Sequence, residues 1–321
     1  MKKVVFFFLI IFTSAYSQIS GCTDPLSKNY NPKATQNNGN CLYKNIKIKP
    51  EYSIKLSDSV KETSGLIAFD NLIWTHNDDH DKTIYGLDSI GKIRRKIILE
   101  HAVNNDWEEI SQDSTHIYIG DFGNNAKGNR TDLNILKVNK TSFLNDNPII
   151  ETISFKYSDQ TDFSAKKPNT TKFDCEAFIV SKDSIYLFTK QWKSSKTSIY
   201  VLPNHAGNHI AQFKNTIDTK GLVTGAVFLE NKKAIVLCGY SKLGKPFLYL
   251  LYDFKNRSFL SGNKRRINPK LPFHQIEGIT TKDGLHYFIT NESLVRKPVL
   301  NNPQQIHYFD LSSLLGSYLH K

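Results

Sequence analysis

Residues 106–125 read DWEEISQDSTHIYIGDFGNN. An acidic entry leads into a short strand over 109–111. A Gln-Asp-Ser turn follows, and a β-rich strand over 116–119 ends in the polar exit 121–125. Short β-rich runs bounded by Asn, Asp, Ser and Gly are the signature of a tight antiparallel pair. The same grammar recurs as KETSGLIAFDNLIWTHNDD (61–79), DCEAFIVSKDSIYLFTKQW (174–192), LVTGAVFLENKKAIVLCGY (222–240) and QIEGITTKDGLHYFITNE (275–292). Aligned on the small-apolar step, one column holds Ser64, Glu108, Glu176, Thr224 and Glu277. Two residues earlier stand Glu62, Asp106, Asp174, Leu222 and Gln275.

The repeat period sets the architecture. Column residues recur every ~44–68 positions, and a blade of four strands with its turns needs about 40–50. Further strand-like runs stand between the units, such as KTIYGLDS and KIRRKIILE after the first and PFLYLLYDF and NKRRINP after the fourth. The last unit shows only IHYFDLS (306–312), and IKIKPEYSIKLSD (46–58) is free to complete it from the other end. Such closure covers an otherwise open sheet edge. The expectation is an all-β chain, a β-propeller of five four-stranded blades closed by an N-terminal strand. Six blades is the alternative if the long second step hides one. Composition is even from residue 45 onward, so 45–321 reads as one domain, with a short helix at LSSLLGSYL (311–319).

Residues 1–17, MKKVVFFFLIIFTSAYS, carry two lysines, an apolar run and small residues before Gln18. That is the pattern of a secretory signal peptide, too short to span a bilayer. No other segment is long and apolar enough to span one. The chain is therefore expected to be exported to the periplasm, outer surface or exterior. Ile19-Ser20-Gly21-Cys22 allows a second reading, lipidation at Cys22. Residues 18–44 contain GCTDPLSKNYNPKATQNNGNCLY. This resembles a short motif recurrent in proteins exported by bacteria that use type IX secretion, where Asp-Asp usually stands in place of Asn37-Asn38. Cys22 and Cys41 bracket it, and export places them where disulfides persist. Cys175 and Cys238 sit in apolar strands and read as buried free thiols, with a second bridge as the alternative. The absence of C-x-x-C removes zinc and thioredoxin chemistry.

In a propeller the entry to each first strand and the exit of each second strand lie at one end of the central channel. Glu62, Asp106, Glu108, Asp174, Glu176 and Glu277 enter there; His76, Asp78, Asp79, Asp121, Lys190, Asn291 and Glu292 leave there. So many converging carboxylates cannot all stay ionised without compensation. Calcium, a hard cation taking six to eight oxygens, fits such a set. Glu108, Asp121, Glu176 and Glu277 are the expected metal ligands. Glu62, Asp78, Asp79, Asp106, Asp174 and Asn291 are the expected ligand contacts, with His76 as the candidate general base. The structural reading is that these acids pair with Lys190, Arg130 or backbone N–H groups. Asn77-x-Asp79-x-Asp81 starts like a calcium loop, but Lys82 stands where an EF-hand needs Gly. The formal net charge is +12. Basic clusters at 92–96 and 264–266 fall on outer strands, where they suit acidic glycans or simply keep the chain soluble. Export disfavours nucleic acid as a partner.

DWEEISQD, IYIGDFGNN, GNRTDL, DCEAFIV, LVTGAVF and QIEGI closely resemble a family of exported β-propeller proteins of unassigned function, over nearly all of 61–292. More distantly, the E-x-S-G-L and I-E-G-I steps are similar to esterase-like phytases and NHL-type propellers. That resemblance implies a channel mouth for a cation or phosphorylated ligand, although Leu222 and Thr224 replace both acids of the fourth unit. The expected function is an exported binding or scaffold module whose partner is an envelope protein, glycan or small ligand. The alternative is a metal-assisted phosphoesterase or esterase.

Overall fold

The structure, a computed structural model, describes residues 18–320; the expected signal segment 1–17 and Lys321 lie outside them. Among the described residues the chain is all-β and propeller-like, built of antiparallel meanders. The first unit comprises Thr63–Phe69, Leu72–Asn77, Thr83–Leu87 and Ile93–Ile98. The second comprises Trp107–Gln112, His116–Asp121, Asn134–Asn139 and Ile150–Tyr157, and the third Cys175–Ser181, Ser184–Thr189, Thr197–Pro203 and Gly207–Ile217. The fourth runs Leu222–Leu229, Ala234–Tyr240, Pro246–Tyr252 and Asn263–Pro269. In the fifth, Ile276–Thr281, His286–Asn291 and Gln305–Asp310 are followed by Tyr52–Lys55, which pairs antiparallel with Gln305–Asp310. The first strand of each unit packs beside that of the next, and the fifth packs beside the first.

Burial follows from strand alternation. Residues two apart share a face, and the apolar faces of neighbouring sheets close on each other in separate clusters. Trp74, Ile84 and Ile97 of the first unit meet Trp107, Ile119 and Phe143 of the second. Phe122 and Ile153 of the second meet Phe178 and Tyr200 of the third. Ile179 and Phe188 of the third meet Val223 and Phe247 of the fourth, whose Val236 and Leu250 in turn meet Ile279 and Tyr287 of the fifth. Leu66 and Leu87 close the circle against Phe288 and Ile306. Each such side chain contributes about 1.5–3 kcal/mol. Trp74, fully buried between two units, is the change most damaging to this packing: Trp74→Ala would cost about 3–5 kcal/mol.

Three features bear on the expected strand layout. The long step between the second and third units holds no hidden sheet; residues 158–174 run without a strand. Instead the eleven-residue strand Gly207–Ile217 reaches far enough to pair in parallel with Ile150–Tyr157, joining two units into one eight-stranded sheet. The stretch 46–58 is not a single strand either. It divides at Pro50, which has no N–H to donate, and Ile46–Ile48 joins the fourth unit in parallel with Asn263–Pro269.

The Cys-bracketed motif is not a loose spacer. Cys22 and Cys41 are disulfide-bonded, which occupies the sulfur that lipidation of Cys22 would use. Asp24 accepts hydrogen bonds from the hydroxyls of Tyr43 and Tyr252. Asn37 Nδ2 donates to Asp253 Oδ2 at 2.7 Å and to Asn263 Oδ1 at 2.9 Å. An Asp at 37 would confront Asp253 with like charge, so Asn is the residue this docking requires. Cys175 and Cys238 are free, buried thiols, and burial pushes both thiol pKa values up.

Candidate functional site

The column of aligned residues has a local structural cause. Each first strand skips one residue in pairing with its second strand. Trp107 and Glu109 pair with Asp121 and Gly120, leaving Glu108 unpaired. Glu176, Thr224 and Glu277 are skipped in the same way, and Ser64 and Gly65 share the equivalent position in the first unit. A β-bulge interrupts alternation and re-aims the extra side chain. Five bulges at one level thus turn Ser64, Glu108, Glu176, Thr224 and Glu277 inward together. The two hydroxyls are used up by the neighbouring strand: Ser64 Oγ donates to the carbonyl of Glu108, and Thr224 Oγ1 to that of Ile276 at 2.6 Å. The three carboxylates are not.

They line a cavity of about 190 Å³, with Asp78, Asp106, Glu292 and Lys190 around them. Gly123, in the exit of the second unit, makes the room: a Cβ there would lie 2.3 Å from both Asp106 Cγ and Glu108 Oε1. Lys190 Nζ lies 3.0 Å from Glu176 Oε2 and faces the rings of Trp192 and Tyr240 at 4.6 and 5.3 Å. Burial pulls the Lys190 pKa down, but Glu176, Tyr240 and Glu277 outweigh it and hold the ammonium charged. Glu176 is 2% exposed, and among the described residues no N–H or hydroxyl donor reaches its other oxygen, Oε1. Beyond the effect of burial, the neighbouring Asp174 carboxyl raises the Glu176 pKa further by charge and hydrogen bonding.

One lysine cannot balance this set. Burial first, then Glu176 and Asp106, push the Glu108 carboxyl well above the usual range. Burial does the same to Glu176 and Glu277 in spite of Lys190. Asp78 is raised to about 8 by burial and by Glu292 and Glu62. Asp106 is raised to about 6 by burial and Asp174, against the pull of Arg130.

The expected site residues divide. Asp78, Asp106, Glu108, Glu176 and Glu277 are brought together in the mouth. Glu62, Asp78 and Asp79 form an outer group whose carboxylate oxygens lie within 4.8 Å of one another. Asp81, by contrast, is occupied by Asn77 Nδ2, Tyr85 Oη and the Thr83 N–H, so the calcium-loop pattern is a hydrogen-bonded turn. Asp121 stands apart, ion-paired with Arg130 at 2.8 Å and accepting the N–H groups of Asn105 and Asp106. Asp174 is covered by Trp192, whose Nε1–H donates to it at 2.6 Å, and it takes the Asn124 N–H at 2.7 Å. Asn291 holds the fifth unit together, donating to Pro303 O and receiving His307 Nε2 at 2.8 Å.

His76 requires the plainest correction. It is fully buried, packs edge-on against Trp107 at 5.8 Å, and is depressed to about 4 by burial. Trp74 lies two residues away on the same strand face, inside the first inter-unit cluster, so alternation carries His76 inward with it. It does not face the mouth.

Sequence reasoning passed over Glu109. It is fully buried; Oε1 accepts the Ile110 N–H at 2.9 Å and Oε2 that of Ala226 in the fourth unit at 2.8 Å. Burial raises its carboxyl well above the usual range, while these backbone donors pull the other way. Gly65 yields to it, since a Cβ there would meet Glu109 Oε1 at 2.1 Å. The signal was the Glu-Glu pair itself, because two consecutive strand residues cannot both face the mouth.

No family model and no curated protein matches the chain. Among solved structures it aligns with a streptogramin B lyase over 81% of this chain and 72% of that one, at 11% identity and TM-score 0.37. A selenomethionine-substituted virginiamycin B lyase from Staphylococcus aureus aligns over 81% and 73%, at 10% identity and TM-score 0.35. A chain of a mitotic checkpoint complex aligns over 82% and 95%, at 10% identity and TM-score 0.39. Likeness at this level says nothing of what this chain binds or does.

Proposed function

We propose that the chain is an exported five-bladed β-propeller, a binding module whose acidic channel mouth takes a calcium ion. The closed circle of five first strands supports the blade number. The pattern of residues 1–17 and the Cys22–Cys41 bond support export. The observation that carries the cation reading is Glu176 Oε1, a buried oxygen that no N–H or hydroxyl donor reaches among the described residues, on a side chain that lines the cavity with only another carboxyl, Asp174, beside it. Leaving such an atom unpaired is costly, and Lys190 meets only the other oxygen. Asp78, Asp106, Glu108, Glu277 and Glu292 supply further hard oxygens, and Asn125, Asn169 and Gln275 line the same cavity with amides. An all-oxygen set of this kind suits calcium. The hydrolase alternative loses its expected base, because His76 is turned into the core; binding needs no such group.

Calorimetric titration of the mature protein with Ca²⁺ tests this. A single saturable event is expected, abolished in Glu108→Gln and Glu277→Gln. At 100 times the dissociation constant it would add about 2.7 kcal/mol to stability. Absence of heat, together with an unchanged unfolding temperature in chelator, would leave the acids as groups that only pair with Lys190 and with one another.

A further inference from the structure

A second cavity lies on the outer wall, between the third and fourth units, and shares no residue with the mouth. It holds about 540 Å³ and is walled by Tyr186, Ile199, Phe259 and Leu260, with Lys214 and Arg257 at its edge. The walls are anchored before any ligand arrives. Phe259, 3% exposed, comes from the turn between the last two strands of the fourth unit. It is fixed edge-on by Tyr186 at 4.8 Å and Phe254 at 5.2 Å. A preformed apolar wall spares a ligand the entropy of ordering it, and this volume falls within the range of small-molecule sites, about 300–1,000 Å³.

Beside the neutral Asn215, Ser258 and Ser261, two of the polar groups around it are cationic. Among the described residues Lys214 Nζ has neither a hydrogen bond nor an ion pair, and the Tyr186 hydroxyl donates to nothing. Arg257 is oriented by its Nε, which donates to Ser181 Oγ at 3.1 Å, while Ser181 donates to Glu230 at 2.7 Å. Its Nη2 forms a loose ion pair with Glu230 Oε1 at 3.8 Å, beyond hydrogen-bond reach, and is buried without a hydrogen-bond partner among the described residues. Two positive charges beside an aromatic wall, on a chain of net charge +12, favour anions at the encounter and in the bound state.

We infer that this crevice binds a small amphipathic anion. Its aromatic or aliphatic body lies against Tyr186 and Phe259, and its single acidic head is met by Lys214 and Arg257. Neither half of the cavity alone selects this class; the apolar wall with the cationic edge does.

The probe is 8-anilinonaphthalene-1-sulfonate, whose fluorescence rises on entering an apolar site, titrated into the mature full chain. Each variant is first checked for wild-type thermal unfolding. One saturable site is expected, weakened about tenfold or more in Lys214→Glu and in Arg257→Gln, about 1.4 kcal/mol for each factor of ten. Glu230→Gln, which removes the carboxylate competing for Arg257, is expected to tighten binding several-fold. The uncharged N-phenyl-1-naphthylamine should bind wild type and Lys214→Glu alike. Sulfonate affinity unchanged in both charge variants would overturn the assignment, as would its loss without any response to Glu230→Gln.

Discussion

Glu108 and Glu109 are adjacent in one strand, both are buried, and both have carboxyls raised by burial. Their surroundings differ completely. Glu109 bridges the second and fourth units, and backbone N–H groups from its own strand and from the fourth unit fill its oxygens. Glu108 looks into the mouth, where six carboxyl groups share one ammonium. The difference teaches that a buried acid marks a binding site only where the protein leaves it short of donors. By that measure Glu109 is a cross-brace between units, whereas at the Glu108 end of the channel the carboxyl groups outnumber their donors.

The comparison can be broken most forcefully at Lys190. Replacing it with Met removes the mouth's single cation and strands Glu176, a loss of about 3–5 kcal/mol for a broken buried pair. Chemical denaturation should show that loss in chelator and a smaller one in millimolar Ca²⁺. An identical loss in both media would mean that no external cation can replace the ammonium.

Next in size is the pair of amide substitutions. Glu109→Gln sets an NH₂ group against backbone N–H donors and should cost about 1–3 kcal/mol. Glu108→Gln puts a neutral side chain where the charged carboxylate is already disfavoured and should leave stability unchanged or slightly higher in chelator. Equal losses from the two would erase the distinction drawn between brace and mouth.

Taken per pH unit, the smallest effect is the titration of Asp78. Asp78, raised to about 8, binds a proton in the folded state that the unfolded chain has already released above about pH 4. The folded state thus binds more protons, and the contribution of Asp78 falls as pH rises toward 8, by at most about 1.4 kcal/mol per pH unit. Urea denaturation from pH 5 to 8 should therefore show a steeper decline in wild type than in Asp78→Asn. Added Ca²⁺ should flatten the wild-type curve. Parallel curves would place the Asp78 carboxyl near its ordinary value.

Much of this was legible in the sequence, for definite reasons. Strand pairs and their spacing leave a periodic trace, and the exposed-turn residues between them are chemically distinct. The inward column was legible too, although its cause was not: a bulge is an extra residue in a pairing, invisible until the partner strand is known. That is why Ser64 and Thr224 align with three glutamates although their hydroxyls are spent on neighbouring carbonyls. Asp121, Asp174 and Asn291 share the composition of mouth residues, and only the positions of Arg130, Trp192 and His307 show that each is already engaged. His76 is different, because alternation from Trp74 was available in the sequence and pointed inward. The outer crevice left no trace, since its walls come from strands and a turn that meet only when two units pack.

The fifth unit carries one more consequence. Ser53 and His307 hydrogen-bond across a separation of 254 residues, because the outer strand of that unit comes from the opposite end of the chain. Contacts so distant in sequence form late, after the loop they close has lost its freedom. During synthesis, which proceeds from the N-terminus, Tyr52–Lys55 emerges long before Gln305–Asp310 exists to receive it. The first four units can assemble in order of appearance, whereas the circle waits for Gln305–Asp310. Until then the first unit's face toward the fifth, with Leu66 and Leu87 upon it, stays open to water. Maturation thus has a vulnerable interval set by the time needed to make the fifth unit, Ile276 to Asp310.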